Sequence, residues 1–231
     1  MGIATIWSFH IPPAMNFQNP QLARIFVWHF PCPMIAVSLL MLSAWFSFRY
    51  LRTHDRAWDE RALASQELAF IFSVLTMLTG MLFSKVMWGA WWQQDPRQTS
   101  FLMVLVIYAT YFILRGAFPD AERRAANTAA YALAAIGPAL FLIFVFPRLP
   151  QIQSFHPSDT IMKGKLTGEY GIVVSIMVVL MTILSAWLYR LRIRVGLLEL
   201  EKEKSYERMD ARGGGPASSG VVRRISVSGE N

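Results

Sequence analysis

Apolar positions along this chain are not scattered at amphipathic spacing but gathered into long runs. Five of them, about Pro33 to Leu51, Leu68 to Met87, Phe101 to Phe118, Thr128 to Phe146 and Tyr170 to Tyr189, are separated by shorter polar segments. A hydrocarbon layer about 30 Å thick is crossed by about 20 apolar residues at helical rise, so the pattern predicts an all-α polytopic bundle of about five transmembrane helices. Gly137 and Pro138 fall inside the fourth run and predict a kink there, the freed carbonyl being satisfied by a neighbouring helix. Past Arg194, LLELEKEKSYERMD extends the fifth helix out of the membrane, and GGGPASSG through SVSGEN predicts a flexible tail, in which RRIS is read as solvated chain rather than a modification site. The chain thus divides into an N-terminal segment (1–30), a membrane domain (31–194) and a charged helix with its tail (195–231). No repeat of useful period suggests an internally duplicated transporter.

Basic residues give the runs a direction. Arg49, Arg52, Arg56 and Arg61 follow the first, Arg115, Arg123 and Arg124 the third, and Arg190, Arg192 and Arg194 the fifth, which predicts that these segments face the cytoplasm. The opposite segments carry only Arg24, Lys85, Arg97, Arg148, Lys163 and Lys165, so the N-terminal segment, the stretch after Met87 and the loop from Pro147 to Glu169 are expected on the outer side. The net charge of +7 would suggest a nucleic-acid partner in a soluble chain; with 54% hydrophobic residues and arginines beside apolar runs it reports membrane orientation instead, and no nucleic-acid partner is expected. Cys32 is the single cysteine, which excludes an intrachain disulfide, a CxxC redox pair and a CxxCH haem attachment site within this chain. No basic start followed by an apolar core opens the first thirty residues, so no cleavable signal peptide is expected.

The candidate chemistry lies on the expected outer side. WGAWWQQDPRQTS, from Trp88 to Ser100, places Trp88, Trp91 and Trp92 beside Asp95 and Arg97 between two spans. Tryptophans at a membrane face are ordinarily interfacial anchors, scattered around the rim. Three together make a surface worth up to roughly 4 to 6 kcal/mol apiece when something apolar covers it, whether lipid or ligand. Arg97, and with it Arg148, suits carboxylates on a ligand through bidentate pairing. For Asp95 the favoured role is structural, capping a helix that begins near Thr99 or orienting a neighbour. Of the four histidines, His29 in VWHFPCP and His156 in SFHPSDT share the tryptophans' side, and imidazoles approaching from opposite faces can clamp a haem iron. His10 and His54 have no such company and take ordinary polar roles.

The strip closely resembles the tryptophan-rich WWD signature, roughly WGxWWxWDxRxTS, of the haem-handling membrane proteins of cytochrome c biogenesis, the CcmC and CcsA group. RIFVWHFPCP and SFHPSDT are similar to that family's two outward histidine segments, and the likeness runs from about Gln18 to Leu191, closest to CcmC in length and layout. It implies haem b held noncovalently, with His29 and His156 as axial ligands of the iron and Trp88, Trp91, Trp92, Asp95 and Arg97 in the haem platform. It further implies the bacterial inner membrane with the haem site facing the periplasm, and three partners: a periplasmic haem chaperone of the CcmE type, a small CcmD-like subunit and a CcmAB-like ABC transporter. Gln94 departs from the signature, standing where the family usually has a further tryptophan. The family also commonly carries one more span before the first histidine.

The expected work is binding and hand-over, without catalysis. A CcsA-type cytochrome c synthase would show additional spans and a second histidine pair. A b-type cytochrome subunit normally places its histidines deep within facing helices, whereas His29 and His156 sit at a span end and in a loop. A plain permease would show polar residues in mid-span, and these are sparse.

Overall fold

The computed structural model describes residues 1–15, 19–156 and 166–211. The tail, with its RRIS stretch, and Lys163 and Lys165 lie outside those residues. Among the described residues every regular element is helical: α1 (Gly2–His10), a 3-10 turn (Leu22–Ile25), α2 (Phe26–His29), α3 (Pro31–Thr53), α4 (Arg56–Trp88), α5 (Pro96–Ala117), α6 (Ala121–Leu140), a π turn (Phe141–Val145), a 3-10 turn (Phe146–Arg148) and α7 (Gly168–Ala211). Five helical segments are long and apolar enough to cross a membrane: Ala23–Thr53, Arg56–Trp88, Pro96–Ala117, Ala121–Arg148 and Gly168–Ala211. The five expected spans are all present, and each is longer than its apolar run.

The ends run longer because local chemistry extends them. Asp55 caps α4 by accepting from Ala57 N–H at 2.9 Å, and Asp120 caps α6 by accepting from Arg123 N–H at 2.8 Å. Proline at the start of α3 and of α5 occupies a first-turn position where its missing N–H costs nothing. At its far end α4 stops on Gly89, whose φ of +88° is the left-handed geometry that closes a helix.

α3 packs along α4 and α6, α5 lies between α6 and α4, and α7 covers α4 and α3. Ala125, Thr128, Ala129, Ala132, Ala135 and Ala139 give α6 a buried face of small side chains, which lets neighbouring backbones approach. Pro138 is accommodated inside α6, and the irregularity expected there comes a turn later, where Phe141–Val145 widens into the π turn. Arg148 Nη1 donates to the carbonyls of Phe144 at 2.8 Å and Ile143 at 3.3 Å, so the end of that span is satisfied by its own side chain.

At the end of the bundle bearing the arginine clusters, Arg115 makes a two-point pair with buried Asp59, at 2.9 and 2.8 Å, and donates to Thr128 Oγ1 at 3.1 Å, joining α5, α4 and α6. Arg192 on α7 holds Glu67 at 2.6 and 3.1 Å. Arg56 reaches Glu203 at 2.9 Å. Polar residues within the spans, sparse along the chain, are buried on α3 (Ser43, Ser47) and α4 (Ser73, Thr76).

Candidate functional site

At the opposite end of the bundle, α2 delivers His29 and α4 receives it. His29 is buried, and its Nδ1 lies 2.9 Å from Thr79 Oγ1 on α4. One residue on, Gly80 leaves the space the ring occupies: a Cβ there would stand 3.1 Å from His29 Cε1. Phe83, the next buried residue on that face, stacks on the imidazole with centroids 6.1 Å apart and planes 24° off parallel.

His156 arrives on the loop after the fourth span, and Asp95 sets the position of that loop. The Asp95 carboxylate caps α5 by accepting from Arg97 N–H at 2.8 Å; the helix therefore starts at Pro96, earlier than expected. The same carboxylate accepts from Ser154 Oγ–H at 3.0 and 2.9 Å and from Phe155 N–H at 2.7 Å. Ser154 Oγ in turn accepts from His156 N–H at 3.2 Å. Both structural roles foreseen for Asp95 are filled at once, and at 2% exposure its carboxylate is met by these protein donors.

The result brings the two predicted histidines together. Their ring centroids lie 6.3 Å apart with planes at 53°. Phe83 is 6.3 Å from the His156 ring and Trp88 6.5 Å from it, with Phe83 and Trp88 meeting edge to face at 5.6 Å. Of the tryptophans, Trp88 is half-buried in this cluster, while Trp91 and Trp92 are 52% and 36% exposed at the rim. Their backbone is fixed by glutamines: Gln93 Nε2 donates to Trp88 O at 3.0 Å, and Gln98 Oε1 accepts from Gln93 N–H at 3.1 Å. Gln94, the departure from the tryptophan-rich signature, takes a positive φ of 53° in that loop.

Arg97 closes the site, its Nη1 3.2 Å from His156 Nδ1. Arg148 lies close enough for the two guanidiniums to repel, while the buried Asp95 carboxylate attracts Arg97. Arg148 also donates two hydrogen bonds to its own helix end. His10, hydrogen-bonded to Ile6 O, and His54, which ends α3 beside the arginine clusters, stand apart from the pair.

Thr79, Gly80 and Phe83 go unnoticed in the sequence, and Ser154 and Phe155 figure there only as neighbours of His156. The first two carry a usable signal, since a polar residue followed by glycine inside an apolar run marks a place where something approaches the helix closely.

Two imidazoles bound on opposite sides of one metal ion, at about 2 Å per metal–nitrogen bond, would put their ring centroids about 6 Å apart, and the two rings here are 6.3 Å apart. Among the described residues no group of three or more histidine, cysteine, aspartate or glutamate side chains converges as a metal site. A closed zinc site needs four protein ligands and an open one three. Imidazole pairs are also the axial ligand set of many haem irons, whose other positions the porphyrin fills.

The CcmC family model, described as heme exporter protein C, matches residues 1–208. Heme exporter protein C of Escherichia coli K12 is 27% identical over 206 residues, covering 89% of this chain and 82% of that protein. The protein of the same name from Rhodobacter capsulatus is 26% identical over 162 residues, 69% of this chain and 65% of its own. A putative cytochrome c biosynthesis ccmC-like mitochondrial protein of Marchantia polymorpha is 27% identical over 107 residues, 46% of each chain. With the match extending across every membrane span and both histidine segments, this chain belongs to the heme exporter protein C family.

Proposed function

We propose that the chain binds haem b noncovalently at the rim of a bacterial inner membrane, on the periplasmic side, and presents it to a periplasmic haem chaperone of the CcmE type during cytochrome c maturation. His29 and His156 are the axial ligands, Trp88 with Trp91 and Trp92 forms the apolar shelf, and Arg97 meets a propionate. Asp95 contributes by holding the His156 loop. The observation that carries this reading is the pair of imidazoles at 6.3 Å, one on a span end and one on a loop, with aromatic rings around both. The names of the relatives support the haem assignment, and the clustering of arginines at the other end of the bundle supports the orientation. A CcmD-like subunit and a CcmAB-like transporter are the partners this role calls for. The protein binds and hands over; the bond-making steps belong elsewhere.

The test is the visible spectrum of the purified full chain in detergent, before and after adding haem, with H29A and H156A alongside. Wild type is expected to show a six-coordinate low-spin haem, and each substitution to change the spectrum or lower occupancy. A wild type that takes up no haem would overturn the reading.

A further inference from the structure

We propose that the two histidines are unequal ligands: Thr79 presets His29 to bind iron through Nε2, whereas Arg97 occupies the Nδ1 lone pair of His156 and yields it when an acidic group of the incoming porphyrin claims the guanidinium. This rests on the haem reading above and assigns an order of events to that site. A ligating imidazole is neutral, with one N–H and one lone pair, and the partner of one nitrogen decides the state of the other. Thr79 has a single hydroxyl proton, and that proton is committed to Leu75 O at 2.6 Å. Towards His29 Nδ1, 2.9 Å away, Thr79 Oγ1 can therefore only accept, so Nδ1 carries the proton and Nε2 carries the lone pair that iron needs. Gly80 and Phe83 hold the ring in that orientation.

The arrangement at His156 is the reverse. Guanidinium has donors only, so Arg97 Nη1 at 3.2 Å fixes the His156 Nδ1 as acceptor and places the proton on Nε2. That tautomer cannot bind iron through Nε2. For it to do so the proton must leave Nε2 and one must be gained at Nδ1, with no net change in protonation, and the N–H so formed would point at Arg97. A carboxylate offers the guanidinium two charge-assisted hydrogen bonds in place of one to a neutral ring, so a propionate draws Arg97 away. His29 is thus the standing ligand, and His156 is a second ligand admitted only by a porphyrin that carries acid groups.

The probes are ferric haem and its dimethyl ester, in which methyl esters replace the two charged propionates, and the readout is spin state by visible absorption and electron paramagnetic resonance. Wild type is expected to give a low-spin six-coordinate iron with haem and a high-spin iron, bound through His29 alone, with the ester. R97L is expected to give the low-spin spectrum with both, since the donor that holds the His156 Nδ1 lone pair is then gone. T79V is expected to weaken binding of both probes about 10- to 100-fold, the range for losing a hydrogen bond behind a metal ligand. A wild type that is low-spin with the ester, or an R97L protein that stays high-spin with it, overturns the unequal-ligand proposal while leaving the haem site intact. Failure of wild type to bind either probe overturns both.

Discussion

Ser154 and Asp95 are joined through both oxygens of one buried carboxylate, at 3.0 and 2.9 Å, and that link decides where His156 stands. The same carboxylate starts α5, so the loop bearing one histidine is fastened to the helix bearing Arg97.

D95A is accordingly expected to act on His156 without touching the ligand. Losing a positioning partner behind a metal ligand costs about 10- to 100-fold in affinity. Haem titration of D95A should show that loss together with the spectrum of H156A, whereas an unchanged spectrum would mean the loop holds its place by other contacts.

Gly80 sets a steric limit on the other side. With a Cβ at 3.1 Å from His29 Cε1, G80A requires the ring to shift by tenths of an ångström, and G80V requires much more. Overpacking of this kind costs about 1 to 3 kcal/mol. Haem occupancy should fall from wild type to G80A to G80V, and equal occupancy in all three would contradict the close seat.

The Asp59–Arg115 pair, with side chains only 5% and 12% exposed, is a stability element at the far end of the bundle. Removing one partner strands a buried charge, and D59L or R115L alone should lose about 3 to 5 kcal/mol. The double substitution should recover much of that loss in a denaturation measurement in detergent. Additive losses would show that the two groups act separately.

Orientation is open to labelling. In a C32S background, F155C lies on the exposed residue beside His156 and R52C on the exposed end of α3. An impermeant maleimide applied to cells with permeable outer membranes should label the first and reach the second only after lysis. The opposite pattern would place the haem site on the cytoplasmic side.

How much of this is legible in the sequence depends on the distance over which the information acts. Apolar runs declare spans because lipid admits only helices whose backbone groups are satisfied within themselves, and the charged stretch after Arg194 continues α7 as its composition suggests. The span ends are less legible: α5 starts at Asp95 and Pro96, a cap that a hydropathy window averages away. His29, His156 and Trp88 can be paired from sidedness and family likeness. Thr79, Gly80 and Phe83 cannot, since they gain meaning only when α4 is laid against α2. Arg148 is legible as an outward basic residue, but not its donation to the carbonyls of Phe144 and Ile143, which appears only where the span ends in the 3-10 turn Phe146–Arg148.

α7 continues without interruption for 44 residues, about 66 Å at helical rise against about 30 Å of hydrocarbon. Residues 201–211 are exposed all round, and a helical stretch that short does not persist in water by itself. It stands because it continues a beam clamped in the bilayer and is braced through Glu203 by Arg56. A stiff post of this kind fixes how near any soluble body can come to that face of the membrane, and a proline inserted at Leu198 would turn the post into a tether.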